Sequence, residues 1–401
     1  MQTFLDNDFR DTPEGREADR ILRSCVHCGF CNATCPTYQL LGDERDGPRG
    51  RIYLIKEMLE NNTASRETQL HLDRCLTCRA CETTCPSGVE YNRLLEIGRS
   101  YAEKKVERPL FERVQREALL HVIPDPGKLR PLLKLAGMAR PLLPNAQGNS
   151  IPDAASGSER WPENSHSRKV LLLQGCAQSV VAPRINLAAA RLLDRLGIQA
   201  LPADGCCGAL SHHLVKEQST LTTIRKNIDR WWPAFEAGAE ALLLTASGCA
   251  PTVMDYGRLL QHDAGYAGKA EKLASISQDI SSYMEQQNLE QFASKLPEDT
   301  LVAYHSPCTL QHGLKRAGKV EALLTRLGLR LTTVTDSHLC CGSAGSYSIL
   351  QKHLSQQLLK KKLATLEKEN PAVIATANIG CMMHLQSATS LPVKHWVELL
   401  T

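Results

Sequence analysis

The chain has 401 residues, 42% of them hydrophobic and 22% charged, with a formal net charge of +4 and a pI of about 8.3. That length supports two or three domains with their own cores, and the weak basicity argues against nucleic acid as a partner. No apolar run reaches membrane-spanning length, and the charged stretch Met1 to Arg20 reads as neither signal peptide nor anchor.

The sixteen cysteines fall into three groups, which argues for metal ligation in a reducing compartment. Glu17 to Ser24 is expected to be a short helix leading into the first group. Cys25, Cys28, Cys31 and Cys35 precede Pro36, and Cys75, Cys78, Cys81 and Cys85 precede Pro86. Both runs read C-x2-C-x2-C-x3-C-P, the spacing of bacterial two-cluster ferredoxins. Three thiolates come from one tight loop, and the fourth cysteine of each run ligates the other cluster. The expected ligand sets are therefore Cys25, Cys28, Cys31 and Cys85 for one [4Fe–4S] cube, and Cys75, Cys78, Cys81 and Cys35 for the other. Each proline stops the following helix from running back into the ligand loop. Zinc usually takes two separated C-x2-C pairs, a different pattern.

Gly42 to Arg51 reads as a loop rich in Gly, Pro and charge, followed by a helix carrying Ile52, Leu54, Ile55, Met58 and Leu59. Cys35 and Cys75 lie 40 positions apart, which leaves room for that helix and a shorter one at Glu67 to Asp73. An all-helical ferredoxin domain is expected, with a further helix from Tyr91 to Val106. From Arg108 to Pro144, prolines at 109, 124, 126, 131, 141 and 144 divide a basic, apolar stretch into short amphipathic helices. The plainer reading is a connector packed on the cluster domain; the sharper one is a surface resting on anionic lipid or a membrane partner. Asn145 to Ser167 reads as a flexible linker.

An internal repeat begins at Lys169. Val170–Leu173 runs into Gln174, Gly175 and Cys176, as Leu301–Tyr304 runs into Ser306, Pro307 and Cys308. Cys206–Cys207–Gly208 matches Cys340–Cys341–Gly342, and Ser247–Gly248–Cys249 matches Ile379–Gly380–Cys381. The corresponding cysteines are offset by 132, 134 and 132 residues, too long a period for a solenoid. Apolar runs alternate with helices such as Ile185 to Leu196 and Val320 to Leu327, the pattern of a parallel α/β sheet. Cys176, Cys249, Cys308 and Cys381 then follow strand ends, where open α/β sheets bind ligands.

Each copy therefore offers four thiols: Cys176, Cys206, Cys207 and Cys249, or Cys308, Cys340, Cys341 and Cys381. They suit an iron–sulfur cluster or zinc, with small buried side chains as the plain alternative and dithiol redox chemistry as a third. His384, three residues after Cys381, is a further candidate ligand, whereas Thr252 holds the matching place after Cys249. His212, His213, His305, His312 and His338 also lie near the cysteines, as ligands or as proton carriers for a quinone.

These motifs resemble the iron–sulfur subunits of glycolate oxidase across nearly the whole chain. The resemblance is carried by Ser24–Cys31, by Gly47–Tyr53 and by Ser337–Gly345. Broader relatives are the matching subunits of glycerol-3-phosphate dehydrogenase, lactate-utilisation systems and heterodisulfide reductase. The family implies an electron-transfer subunit beside FAD-binding subunits that oxidise glycolate to glyoxylate. It also implies delivery to a quinone or membrane acceptor, from the cytoplasmic face of the inner membrane. Relatives with a full cysteine set hold a further, non-cubane cluster through a terminal C-x-x-C pair, which both copies here lack. No G-x-G-x-x-G follows a strand and no Walker loop is present, so the chain by itself is expected not to be catalytic.

The expected class is α+β and multidomain. A helical ferredoxin-type domain with two [4Fe–4S] clusters occupies residues 1–107, and a connector and linker 108–167. The Cys–Cys–Gly α/β repeats occupy 168–290 and 291–401. The competing functions are an iron–sulfur subunit of another 2-hydroxy-acid or glycerol-3-phosphate dehydrogenase, a self-contained disulfide or quinone reductase, and a metal-stabilised scaffold.

Overall fold

The computed structural model describes residues 1–139, 154–155, 160–289, 292, 296–297 and 299–401. Its N-terminal part is all helical. The first long helix spans Pro13–Ser24, four residues longer at its start than expected. Thr12 caps it by accepting from the Gly15 amide at 3.0 Å, and Pro13 stands at its first position. The next long helix, Pro48–Glu60, begins inside the stretch expected to be a loop, again with proline at its first position. Arg66–Asp73 and Tyr91–Lys105 complete this part. Their apolar faces bury Ile21, Leu22, Ile52, Ile55, Leu59, Leu72, Leu94 and Leu95 in one core that also holds Cys25, Cys75 and Cys81. The thiol loops thus hang from a packed scaffold.

Two helices follow, Leu110–Val122 and Pro126–Ala139. The second runs through Pro131, so prolines do not bound every helix here. Six residues into the helix, the ring removes one hydrogen bond without ending it. The connector is tied to the helical domain where Arg108 and Arg116 both reach Asp73, the latter at 3.1 Å. It leaves Leu110, Phe111, Val114, Leu132, Leu135 and Met138 exposed. Most of the expected linker, Asn145 to Ser167, falls outside the described residues.

The remainder holds two parallel four-stranded sheets. Strands β1 (Arg168–Leu173), β2 (Ile198–Ala203), β3 (Ala239–Leu244) and β4 (Ser277–Asp279) pair in the order β2-β1-β3-β4. Strands β5 (Leu301–His305), β6 (Arg330–Leu331), β7 (Val373–Thr376) and β8 (Val393–His395) pair as β6-β5-β7-β8, the same order. Strands such as Val170–Leu173 and Val373–Thr376 are buried along their length because helices cover both faces. On the helix Arg184–Arg195, Ile185, Ala188, Ala189, Leu192 and Leu193 form the buried stripe at helical spacing.

The two sheets meet through their strand-end loops. Ser247 donates its amide to the Ala377 carbonyl at 3.0 Å, and its hydroxyl lies 3.0 Å from that of Thr309. His395 Nε2 lies 2.9 Å from the Thr245 carbonyl oxygen. Among the described residues, no helix is long and apolar enough to cross a membrane.

Candidate metal centres

The two cysteine loops share one backbone shape. The residues flanking each middle cysteine are left-handed: His27 and Gly29 have φ of 58° and 85°, and Thr77 and Arg79 have φ of 53° and 60°. Each third cysteine then enters a single helical turn, Phe30–Ala33 or Ala80–Thr84. These turns wrap each loop round a common space. Cys25, Cys28, Cys31 and Cys85 line one cavity. Cys35, Cys75, Cys78 and Cys81 line another, and Cys81 also borders the first. The fourth cysteine of each run therefore stands in the other run's cavity. Pro36 opens the helix Pro36–Leu41, which carries the chain away from Cys35.

Four thiols per cavity, with few oxygen donors, are a soft ligand set that fits an iron–sulfur cluster. Burial, followed by the neighbouring Cys25, pushes the Cys31 thiol up to about 11. Burial, and then Cys308, Cys35 and Cys75, pushes Cys78 up as well. A bound cation reverses that direction, since it is the thiolate that ligates.

The two sites differ in their surroundings. The outer one opens at the surface, where Cys28 is exposed and Val26 and Phe30 are 67% and 62% exposed. At the inner one Cys35, Cys75 and Cys81 are buried and Cys78 is half-buried, and the site stands beside Arg51, which is 1% exposed. Arg51 donates to the His71 carbonyl at 2.7 Å and to Thr37 Oγ1 at 3.2 Å, and pairs with Asp46 at 3.4 Å. Asp46 also meets Arg74 at 2.9 Å and His71 Nδ1 at 3.0 Å. Burial opposes the Arg51 charge, but Tyr91, Cys75, Cys35 and Asp46 hold its pKa above the usual value. Sequence reasoning gave Arg51 no role, and its burial inside a charged, Gly/Pro-rich stretch has no local signature.

In the first repeat, the Cys176 and Cys207 thiols both contact Cys206, which draws the Cys206 pKa down. Cys249 contacts Cys207 from the strand-end side. Thr252, in the short helix Ala250–Met254, is buried. In the second repeat, Cys308 and Cys340 have their sulfurs 3.9 Å apart. Cys341 contacts both Cys340 and Cys381. The histidine that approaches these thiols is His305, at the end of β5: it, Cys341 and Cys381 each place a donor atom within 4.8 Å of the others. His384 does not join that group; its Nε2 lies 3.1 Å from the Ser355 hydroxyl. Cys381 and His384 share the helix Ile379–Gln386, but the packed helix Lys352–Leu366 supplies Ser355 as the imidazole's partner. His312 joins the domains, with Nδ1 2.9 Å from Thr83 Oγ1 and Nε2 3.0 Å from the His338 carbonyl. His212 pairs with Glu96 at 3.1 Å, and the neighbouring His213 is pushed down to about 3 by burial and then by His212.

The inner site and the second repeat adjoin. Cys78 and Cys308 pack against a small apolar cluster containing Leu76, Cys340, Tyr347, Leu354 and Leu358.

Gly208 and Gly342, after the vicinal cysteines, have φ of 85° and 92°. A Cβ on Gly342 would lie 2.6 Å from the Ser355 carbonyl oxygen, whereas the nearest atom to one on Gly208 is 3.8 Å away. Gly342→Ala is therefore expected to destabilise by roughly 3 kcal/mol through strain and overpacking. Gly208→Ala is expected to cost about 1 kcal/mol, from its left-handed backbone alone. Parallel denaturant unfolding of the two variants checks this, and equal losses would contradict the difference in packing.

Residues 21–89 match the 4Fe-4S dicluster domain, and residues 170–253 and 302–386 each match the Cysteine-rich domain. The chain is 52% identical over 402 residues to the glycolate oxidase iron-sulfur subunit of Escherichia coli K12, covering 100% of this chain and 98% of that protein. It is 28% identical over 413 residues to a probable glycolate oxidase iron-sulfur subunit of Bacillus subtilis, covering 95% and 91%. Lactate utilization protein A of Bacillus velezensis is 27% identical over 221 residues, which is 54% of this chain and 90% of that protein.

Proposed function

The chain belongs to the family of glycolate oxidase iron–sulfur subunits, and from that premise we propose that it is the electron-transfer subunit of a flavin-dependent glycolate dehydrogenase. Cys25, Cys28, Cys31 and Cys85 would hold one [4Fe–4S] cluster, and Cys35, Cys75, Cys78 and Cys81 the other. Such clusters take up and release single electrons, which suits them to a two-electron flavin donor. The observation that carries this reading is the arrangement of the thiols. One set opens at the surface, the next shares Cys81 with it, and that set borders the thiols of the second repeat. The apolar rim of Val26 and Phe30 suits a protein partner docking over the outer set, and the buried Arg51 charge favours electron density at the inner one.

The partners on this reading are FAD-binding subunits that oxidise glycolate to glyoxylate, and a quinone or other membrane acceptor. A seat at the cytoplasmic face of the inner membrane is supported by the connector. Its exposed Leu132, Leu135 and Met138 stand on the same helix as Lys128, Arg130 and Lys134, a composition suited to an anionic lipid surface.

The chain alone, with its clusters reconstituted, is expected to reduce no dye with glycolate. In the complex with its flavin subunits, glycolate is expected to reduce the clusters, read by electron paramagnetic resonance. Clusters that stay oxidised while the complex turns over glycolate would overturn the electron-transfer role. Dye reduction by the isolated chain would overturn its dependence on partners.

A further inference from the structure

Tyr91 stands between the two N-terminal thiol sets: it lines both cavities and is buried. It follows Cys85, a thiol of the outer set, yet its hydroxyl donates to Sγ of Cys75, in the inner set, at 3.6 Å. The surrounding backbone holds this contact in place. Tyr91 opens the helix Tyr91–Lys105, and the next amide, that of Asn92, donates to Glu82 Oε1 at 2.7 Å. Glu82 belongs to the turn Ala80–Thr84, so the start of the helix is fixed to the loop that carries Cys81 and Cys85. Further along the same helix, Arg99 donates to the Cys75 carbonyl at 2.8 Å. Phenol and sulfur are thus held from one rigid element. The other hydroxyl near an inner sulfur is that of Thr37, 3.3 Å from Cys35 Sγ, but it donates its proton to the Asp46 carbonyl at 2.7 Å. Among the described residues, no side chain donates to the sulfurs of Cys25, Cys28, Cys31 or Cys85. In the first cysteine run, the place that Tyr91 holds after Cys85 is taken after Cys35 by Leu41, which has no hydroxyl.

We propose that Tyr91 is a positioning residue for electron transfer: its hydroxyl, acting through Cys75, raises the reduction potential of the inner cluster relative to the outer one and so draws electrons inward. The inference rests on the electron-transfer reading above. Reduction adds one electron and no proton, and the ligand sulfurs share the added negative charge. A hydrogen bond to such a sulfur strengthens as that charge grows, which favours the reduced state. The phenol is neutral at ordinary pH and keeps its proton throughout, so only the electron moves. The outer set opens at the surface, where a donor docks, and the inner set borders the second repeat. A higher potential at the inner set therefore makes the inward step downhill.

Tyr91→Phe removes one oxygen and keeps the ring, so the full chain with reconstituted clusters is expected to retain its iron. A redox titration followed by electron paramagnetic resonance reads the two potentials, with Cys85→Ser and Cys35→Ser assigning the signals. In Tyr91→Phe the inner cluster is expected to be about threefold harder to reduce, a fall of about 30 mV for a one-electron couple, with the outer potential unmoved. A ring-fluorinated tyrosine at position 91 is a stronger donor and is expected to shift the inner potential upward. It decides the question if the phenylalanine variant loses its iron. With both clusters present in the parent, the proposal alone is overturned if Tyr91→Phe leaves the inner potential unchanged or moves both potentials equally. It is also overturned if the fluorinated chain shows no upward shift. A parent chain that holds no cluster at either thiol set overturns the electron-transfer reading, and the proposal with it.

Discussion

Cys85→Ser is expected to abolish the outer iron–sulfur site, to which Cys25, Cys28 and Cys31 contribute, and to spare the inner one, although Cys85 is far closer in sequence to Cys81. The reason is spatial. Cys85 lines the cavity of the first loop, while Cys35 lines that of the second. The helical turn Ala80–Thr84 carries the chain from Cys81 across to the neighbouring cavity. A serine oxygen is a harder and weaker donor to iron than a thiolate, so three remaining thiols hold the outer cluster poorly. Iron content is expected to fall by about half. Electron paramagnetic resonance of the reduced chain, compared with Cys35→Ser, assigns the loss. If Cys85→Ser instead removes the signal that depends on Cys75 and Cys78, the crossed arrangement is wrong.

Arg51→Met is expected to destabilise the helical domain by about 3–5 kcal/mol, the usual result of removing one partner from a buried ion pair. Arg51 and Asp46 are each only 1% exposed at the side chain, so water cannot take the missing partner's place. The substitution also removes the donor to the His71 carbonyl, which leaves a backbone acceptor unsatisfied. A second effect follows from position. Arg51 carries a fixed positive charge close to Cys35 and Cys75. Removing it makes the reduced, more negative state of the inner site harder to form, so that site's reduction potential is expected to fall. Denaturant unfolding reads the first effect and a redox titration the second. Arg51→Lys separates them: it keeps the charge but loses the forked hydrogen bonding, so stability is expected to drop while most of the potential is retained. A loss below about 1 kcal/mol in Arg51→Met would mean that Arg74 and His71 suffice to hold Asp46.

The family, the helical cluster-bearing part and the duplicated α/β architecture were all legible in the amino-acid sequence. Each is written in a local code. Three cysteines at every third position can only close a small loop, and apolar runs of strand length alternating with helices call for a parallel sheet. The helix starts at Pro13 and Pro48 were written there too, since Thr12–Pro13 and Gly47–Pro48 place proline at the first helical position. What only the tertiary structure decided is which side chains meet. Cys381 and His384 have ligand-like spacing, yet the helix Lys352–Leu366 supplies Ser355 to the imidazole. His305, inside an apolar strand, is brought to the thiols because β5 pairs with β7 in a register that sets His305 opposite Thr376. Arg51 looks like one more charge in a polar loop until the helices Pro48–Glu60 and Arg66–Asp73 pack and enclose it. The adjacency of Cys78 and Cys308 likewise depends on how two domains pack, 230 residues apart in the chain. Spacing along a chain specifies a loop or a strand, but contact between distant segments follows from packing, which no short stretch of sequence encodes.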